Sequence, residues 1–355
     1  MDKKIFLITI LIFTFLILNN NQIYGEEKNI ITDMAGRNVE IPKKINGIIA
    51  AGAGTLRQVI YIDGIDRIKG VEQQEKEEDW YPAYNVAYPE LKQLPAIGPQ
   101  HGGDAELIVS QEPDIIFYRG DTEDAKNLQQ KTGIPVISIK LGDFYTNRDV
   151  LYEAWEIIGK VLNQKKRAED LISYTEKQID ILNNKTKDIK EKPTIFAGGI
   201  SHRGGHGLAS TKIPFPPFRF LNMKSKIIED KYTDVTSIII NREQLLAGNP
   251  DYIFIDCENL NLVQKDLEEH PEYQSLQAVK DNNLYGLLPY SIYNRNQENI
   301  LINTFFIGKT LFPEEFDDIN FEEKADKIYD TFLQRSIYHD ITDTYSAFKN
   351  LDTEL

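Results

Sequence analysis

Glu106-Leu-Ile-Val-Ser-Gln-Glu-Pro113-Asp114-Ile-Ile-Phe117 and Glu243-Gln-Leu-Leu-Ala-Gly-Asn-Pro250-Asp251-Tyr-Ile-Phe254 follow one pattern. In each, a glutamate opens a short helix, Pro-Asp ends it, and an apolar run follows. Proline cannot continue a helix, aspartate stabilises the turn, and β-branched and aromatic residues in an unbroken run suit a parallel strand covered on both faces. The seven-residue step from Glu to Pro recurs with matching apolar positions. The chain therefore contains one α/β unit twice, and the repeat predicts two similar lobes.

Outward from the first copy, strands and helices alternate. The sequence predicts strands over Ile45 to Ala51, Arg67 to Val71, Ile115 to Tyr118 and Val136 to Ile139. Helices are expected over Thr55 to Ile62, over Thr122 to Thr132 (stopped by Gly133), and over Val150 to Leu162, where Val150, Ala154, Ile157 and Val161 share a face. Around the second copy, strands are expected over Thr194 to Ala197, Ile253 to Ile255 and Leu284 to Leu288, then helices over Gln297 to Leu311 and Phe321 to Leu333. Such alternation argues for mainly parallel sheets with covering helices, that is, three-layer α/β lobes. Between them lies Gln164 to Thr186, uninterrupted by Gly or Pro, with Ala168, Leu171, Ile172, Thr175, Ile179 and Leu182 on one stripe. A helix of that length spans about 34 Å and stiffens the connection between lobes. The expected organisation is a signal peptide over 1–25, a first lobe over 26–163, a linking helix over 164–187, and a second lobe with C-terminal helices over 188–355.

The amino terminus has the layout of a secretory signal peptide. Lys3 and Lys4 precede an apolar and Thr stretch from Ile5 to Leu18, then a polar run, with cleavage expected after Gly25. A membrane span needs about 20 apolar residues, and this run is shorter. The lone cysteine, Cys257, lies far from that end and reads as a buried small hydrophobe. One cysteine excludes an internal disulfide framework and a Cys-rich metal site, and no cysteine stands where a lipoprotein would carry its lipid. An exported, periplasmic, unlipidated protein is the expectation. The 355 residues hold 40 Lys and Arg against 55 Asp and Glu, a net charge of −15, which disfavours nucleic acid and anionic membrane surfaces as partners. Any anionic ligand would need a local cationic site.

On these residues the sequence resembles the solute-binding proteins of iron-siderophore and cobalamin ABC importers. Ile31-Thr32-Asp33-Met34-Ala35-Gly36-Arg37 is similar to that family's first hairpin, and Pro271-Glu-Tyr273-Gln-Ser-Leu276-Gln-Ala278-Val279-Lys280, running on to Leu284-Tyr285, to its late helix-to-strand segment. Gly98-Pro-Gln-His101-Gly-Gly103 and His202-Arg203-Gly-Gly-His206-Gly207 are similar to a branch described as iron-complex transport. The resemblance implies a monomeric periplasmic protein without cofactor or catalysis. It would hold a small-molecule metal complex, such as a ferric siderophore, between the lobes and deliver it to the importer's permease. It also implies that Glu106 and Glu243, at matching positions of the repeat, dock into arginine pockets of that permease. Helix-dipole stabilisation, worth about 0.3–1 kcal/mol, is the plainer role for a first-turn glutamate.

In two-lobe binders the ligand lies over the carboxyl ends of the strands. The loops expected there carry Trp80, Tyr81, His101, Arg119, His202, Arg203, His206, Tyr290, Tyr293 and Arg295. The arginines could converge on an anion, the aromatic residues could supply walls, and two glycines after His101 allow close backbone approach. Pro214-Phe-Pro-Pro-Phe218 is expected to pack beside the cleft. His202 and His206 carry metal-like spacing, so an exported metal-dependent hydrolase with Asp256 or Glu258 as a further ligand is the alternative. Gly204 and Gly205 oppose the helix that geometry needs, and no Gly-x-Ser-x-Gly supplies a nucleophile. Gly52-Ala-Gly54 with Glu72 superficially fits a dinucleotide fingerprint, but Arg57 stands where the third glycine belongs. Siderophore, haem, cobalamin, oxyanion and nickel chelate stay open as ligands.

Overall fold

A computed structural model describes residues 29–79, 81–142, 144–201, 204–225, 227 and 237–351. The predicted signal peptide, Trp80, His202 and Arg203 lie outside the described residues.

The first lobe opens with an antiparallel hairpin, β1 (Ile30–Thr32) and β2 (Asn38–Glu40). Its turn is organised by Asp33, which accepts the amides of Ala35 at 3.0 Å and Arg37 at 2.9 Å and pairs with the Arg37 guanidinium at 2.7 Å. The same carboxylate takes the amide of Ser138 at 3.0 Å, fastening the hairpin to the sheet. Then follow β3 (Ile48–Ala51), α1 (Thr55–Tyr61), β4 (Ile68–Gly70), α2 (Ala83–Ala87), α3 (Ala105–Val109), β5 (Ile115–Tyr118), α4 (Thr122–Thr132) and β6 (Val136–Ser138). The four strands form one parallel sheet in the order β4-β3-β5-β6. Gly133 ends α4 in the left-handed conformation at φ 70°, as a terminal glycine can at little steric cost.

Two long helices follow, α5 (Arg148–Leu162) and α6 (Lys165–Thr186), the second bridging the lobes and packing against the first. Its buried residues include Ala168, Leu171, Thr175, Ile179 and Leu182, the stripe read from the sequence. Beyond it run β7 (Ile195–Gly198), β8 (Ser210–Thr211), α7 (Pro216–Phe220), β9 (Ile238–Ile239), α8 (Arg242–Gly248), β10 (Tyr252–Asp256), α9 (Leu260–Glu269), α10 (Gln277–Lys280), β11 (Leu284–Leu287), α11 (Gln297–Leu311), α12 (Phe321–Leu333) and α13 (Tyr338–Tyr345). The parallel sheet here has the order β11-β10-β7, and β8 pairs β9 as a small antiparallel ribbon.

The repeat has a structural basis. Asp114 Oδ2 accepts the amides of Asn46 at 2.6 Å and Gly47 at 2.9 Å, just before β3. Asp251 Oδ2 accepts the Thr194 amide at 2.7 Å and its hydroxyl at 2.6 Å, just before β7. In both lobes the aspartate after the proline thus pins the start of the neighbouring strand. The residue before each proline, Glu112 at φ 50° and Asn249 at φ 37°, turns the helix end left-handed. Asp114 also explains why the first strand starts at Ile48 rather than Ile45: the amides of residues 46 and 47 bond its carboxylate instead of joining the ladder.

One apolar core runs through both lobes, from Ile48, Leu56 and Trp155 to Phe254, Leu287, Phe305 and Phe332. Smaller clusters cover the far faces, Ile49, Ile108 and Ile116 in the first lobe and Phe196, Ile253 and Ile255 in the second. The C-terminal helices, expected to belong to the second lobe, also close on the first: α12 packs on α1, with the Phe332 and Tyr61 rings 5.0 Å apart. Among the described residues no helix is long and apolar enough to cross a membrane.

Candidate solute-binding cleft

The carboxyl ends of β3, β4, β5 and β11 open toward one region, and the loops that follow them meet there. After β3 the chain turns through Gly52 and Gly54, both at positive φ, into α1. A Cβ on Gly54 would lie 2.8 Å from the Asn294 Cβ of the second lobe, so this close approach needs glycine. The Asn294 side-chain amide donates to the Ala53 carbonyl at 3.2 Å. Arg57, fully buried on α1, donates to the carbonyls of Arg295 at 2.9 Å and Ile292 at 2.8 Å. Its guanidinium also lies 5.0 Å from the centre of the Tyr84 ring. The 292–295 loop of the second lobe is thereby held on the first.

Glu72, buried just past β4, accepts the amides of Gly52 at 3.0 Å and Gly102 at 2.6 Å, and the Tyr293 hydroxyl donates to its other oxygen. The His101 amide donates to the Tyr293 hydroxyl at 2.8 Å, and the two rings are 5.4 Å apart. Burial and then Glu72 hold the Tyr293 phenol well above its ordinary range, so it stays a donor. Arg119 follows β5, its amide bonded to the Ala51 carbonyl at 3.0 Å and its guanidinium reaching the Ala53 carbonyl at 3.3 Å. Desolvation, then the positive charge of Arg295, lower the Arg119 pKa, even though the residue is exposed at the mouth. His101, Arg119, Tyr293 and Arg295 therefore come together at one mouth.

The other described candidates stand elsewhere. Tyr81 is exposed, with the Lys92 ammonium 4.9 Å from its ring, and its carbonyl accepts the Tyr345 hydroxyl at 2.9 Å. Tyr290 is buried within the second lobe, its ring 5.7 Å from Phe215 and its amide bonded to Asp256 at 2.8 Å. Phe215 and Phe218 are likewise buried, so the Pro-Phe segment packs beneath this loop. His206 lines a depression of about 450 Å³ with Arg242, Lys265, Asp266, Glu269 and Tyr273, all from the second lobe.

Of the pair on which the hydrolase alternative rests, His202 lies outside the described residues; among the described residues no three His, Cys, Asp or Glu side chains are grouped to hold an ion. Asp256 is a structural anchor, accepting the amides of Glu258 at 3.0 Å and Tyr290 at 2.8 Å. Burial, then the neighbouring Glu258 charge, push its pKa well up. Glu258 is exposed at its edge, yet desolvation raises it to about 7 against the opposing hydrogen bond from Ser201 at 3.0 Å. Cys257 is buried, as read from the sequence.

Sequence reasoning missed Glu72, Arg57 and Asn294 as site-building residues. Glu72 and Arg57 drew notice only through the dinucleotide fingerprint, and their partners lie some twenty to two hundred and forty positions away. Glu106 and Glu243 occupy the second position of α3 and α8, both exposed, with N-caps Asp104 and Asn241 bonded to first-turn amides.

Residues 60–290 match the family described as periplasmic binding protein. The molybdate-binding protein MolA of Haemophilus influenzae is 22% identical over 330 residues, covering 86% of this chain and 91% of that one. The Fe(3+)-citrate-binding protein YfmC of Bacillus subtilis is 24% identical over 193 residues, 54% of this chain and 58% of that one. The structure of MolA bound to molybdate superposes with a TM-score of 0.69 at 20% identity, over 87% of this chain and 98% of that chain. Two parallel α/β lobes bridged by one long helix, matched to the family over most of their length, place this chain in the periplasmic binding protein family, whose members are solute-binding proteins of ABC importers rather than enzymes.

Proposed function

We propose that the cleft captures an anionic, oxygen-rich solute outside the cytoplasm and that the protein hands it to an ABC importer permease. The observation that carries this reading is the meeting of two arginine-bearing loops, one from each lobe: the Ala53 carbonyl accepts both the Arg119 guanidinium at 3.3 Å and the side-chain amide of Asn294, the neighbour of Arg295, at 3.2 Å. Like charges held together at a mouth gain most from an anion that bridges them, through short charge-assisted hydrogen bonds. A negatively charged iron complex, a ferric siderophore or similar chelate, fits this chemistry, and the likeness to the Fe(3+)-citrate-binding protein supports it. The second reading is a small oxyanion, favoured by the likeness to MolA over 86% of the chain.

Titration with ferric citrate, a ferric catecholate and molybdate separates the two. Arg119→Ala should weaken the solute that binds by about tenfold or more, the loss expected for a hydrogen bond to a charged group. His206→Ala, in the other depression, should leave that affinity within about twofold. The reverse order would move the site to the second-lobe depression.

A further inference from the structure

Glu72 is only 2% exposed, yet it lies in neither a helix nor a strand, and among the described residues no ion pair is made by its carboxylate. A buried carboxylate is tolerated only where donors fill its lone pairs. Here the donors come from three separate loops: the Gly52 turn after β3, the His101–Gly103 loop, and the 292–295 loop of the second lobe. Tyr293 extends the set, since its hydroxyl gives its proton to Glu72 while accepting the His101 amide.

A second observation points the same way. His101 at φ 71°, Tyr293 at φ 47° and Asn294 at φ 86° all hold a left-handed backbone without being glycine. Such residues persist where the surroundings over-determine them, and they gather at ligand clamps. These three face one another across the lobes, and Glu72 is the side chain their loops share.

We propose that Glu72 is a positioning residue for solute binding: by tying Tyr293 to the Gly102 and Gly52 amides, it sets how closely the lobes approach and where Arg119 and Arg295 stand. This rests on the cleft reading above. Glu72 does not touch the solute; it orders the loops that do. Without it, the 292–295 loop keeps the Arg57 and Asn294 contacts and the bond from the His101 amide to the Tyr293 hydroxyl, but Tyr293 loses its link to the Gly52 and Gly102 amides.

The test uses Glu72→Ala and Tyr293→Phe, singly and combined, in the full chain. Spin labels at Lys126→Cys and Lys280→Cys, with Cys257→Ala, report the inter-lobe distance without ligand. Both single variants should broaden that distribution, and the double variant by less than the two effects summed. Affinity for molybdate and for ferric citrate should fall about tenfold in Glu72→Ala, and the loss in the double variant should fall short of the product of the single losses, because both remove the Tyr293–Glu72 bond while Tyr293→Phe also removes the acceptor of the His101 amide. Where Glu72→Ala fails to fold, Glu72→Gln keeps an acceptor for the two amides while removing the charge that faces Tyr293, and should broaden the distances less. Unchanged distances overturn the proposal, and so do altered distances with wild-type affinity. Should the wild-type protein bind neither probe, the anion reading of the cleft fails, while the distances still decide whether Glu72 sets the lobe approach.

Discussion

The two lobes match at the amino ends of their strands and differ at the carboxyl ends. At the amino edge, Asp114 and Asp251 each hold the segment entering the neighbouring strand, Asp114 through two amides before β3 and Asp251 through one amide and one hydroxyl before β7. Glu106 and Glu243 stand at the same turn of the same short helix. At the carboxyl edge the first lobe closes its loops on one another around Glu72, whereas the second sends the 292–295 loop across to them and carries His206 to a separate depression. The difference divides the labour of each lobe. One edge is fixed by what the fold needs to start its strands. The other is free to vary, and a single solute can be held by two unlike halves.

The comparison would break most visibly at the paired glutamates. In the docking reading, Glu106→Arg with Glu243→Arg sets like charges against the importer at both lobes, at a cost of several kcal/mol, so uptake collapses while solute affinity holds. Normal uptake by folded double mutant at wild-type abundance would leave both residues as helix-end charges and nothing more. A smaller effect tests the aspartates. Asp114→Ala and Asp251→Ala each remove the charged acceptor of two hydrogen bonds at a strand entry, and each should cost about 1.5–3 kcal/mol in urea unfolding. Clearly unequal losses would mean that the repeat is one of sequence and not of energetics.

The smallest effect sharpens the carboxyl edge of the second lobe. Glu258 titrates at about 7 in the fold, against about 4.3 in an unfolded chain. Between those values the folded state binds the extra proton, so the contribution of Glu258 to stability is full below about pH 4.3 and is lost as pH rises through 7. Asp256, also raised, contributes with the same sign. Glu258→Gln should flatten the decline over this window. A wild-type stability that rises from pH 5 to 7 with unchanged slope in the variant would show that other groups govern it.

Most of the fold was legible because it rests on local rules. Helix ends at Gly133 and Leu311, the strand Ile115–Tyr118 and the buried stripe of α6 follow from apolar period, glycine and proline placed within a dozen residues. The ribbon of β8 and β9 was not foreseen, since two-residue strands leave no period to detect. The meeting of loops between the lobes was legible by halves. Loops after strands pointed to His101, Arg119, Tyr293 and Arg295, which do meet. Glu72 could not be found that way: its role is set by three bonds to distant loops, and an isolated glutamate after a strand carries no trace of them.

The closure of α12 on the first lobe has a consequence in time. Tyr61 and Tyr88 of that lobe reach Phe332 and the Leu333 carbonyl, and Arg167 joins the Tyr61 carbonyl to that of Thr331. Roughly 260 residues separate α1 from α12, which at about 5–20 residues per second of synthesis is some tens of seconds. Throughout that interval the side of α1 that faces α12 lacks its native cover, although Trp155 of α5 already packs on Tyr61. A first lobe completed by one of the last helices reaches its full packing only near the end of synthesis.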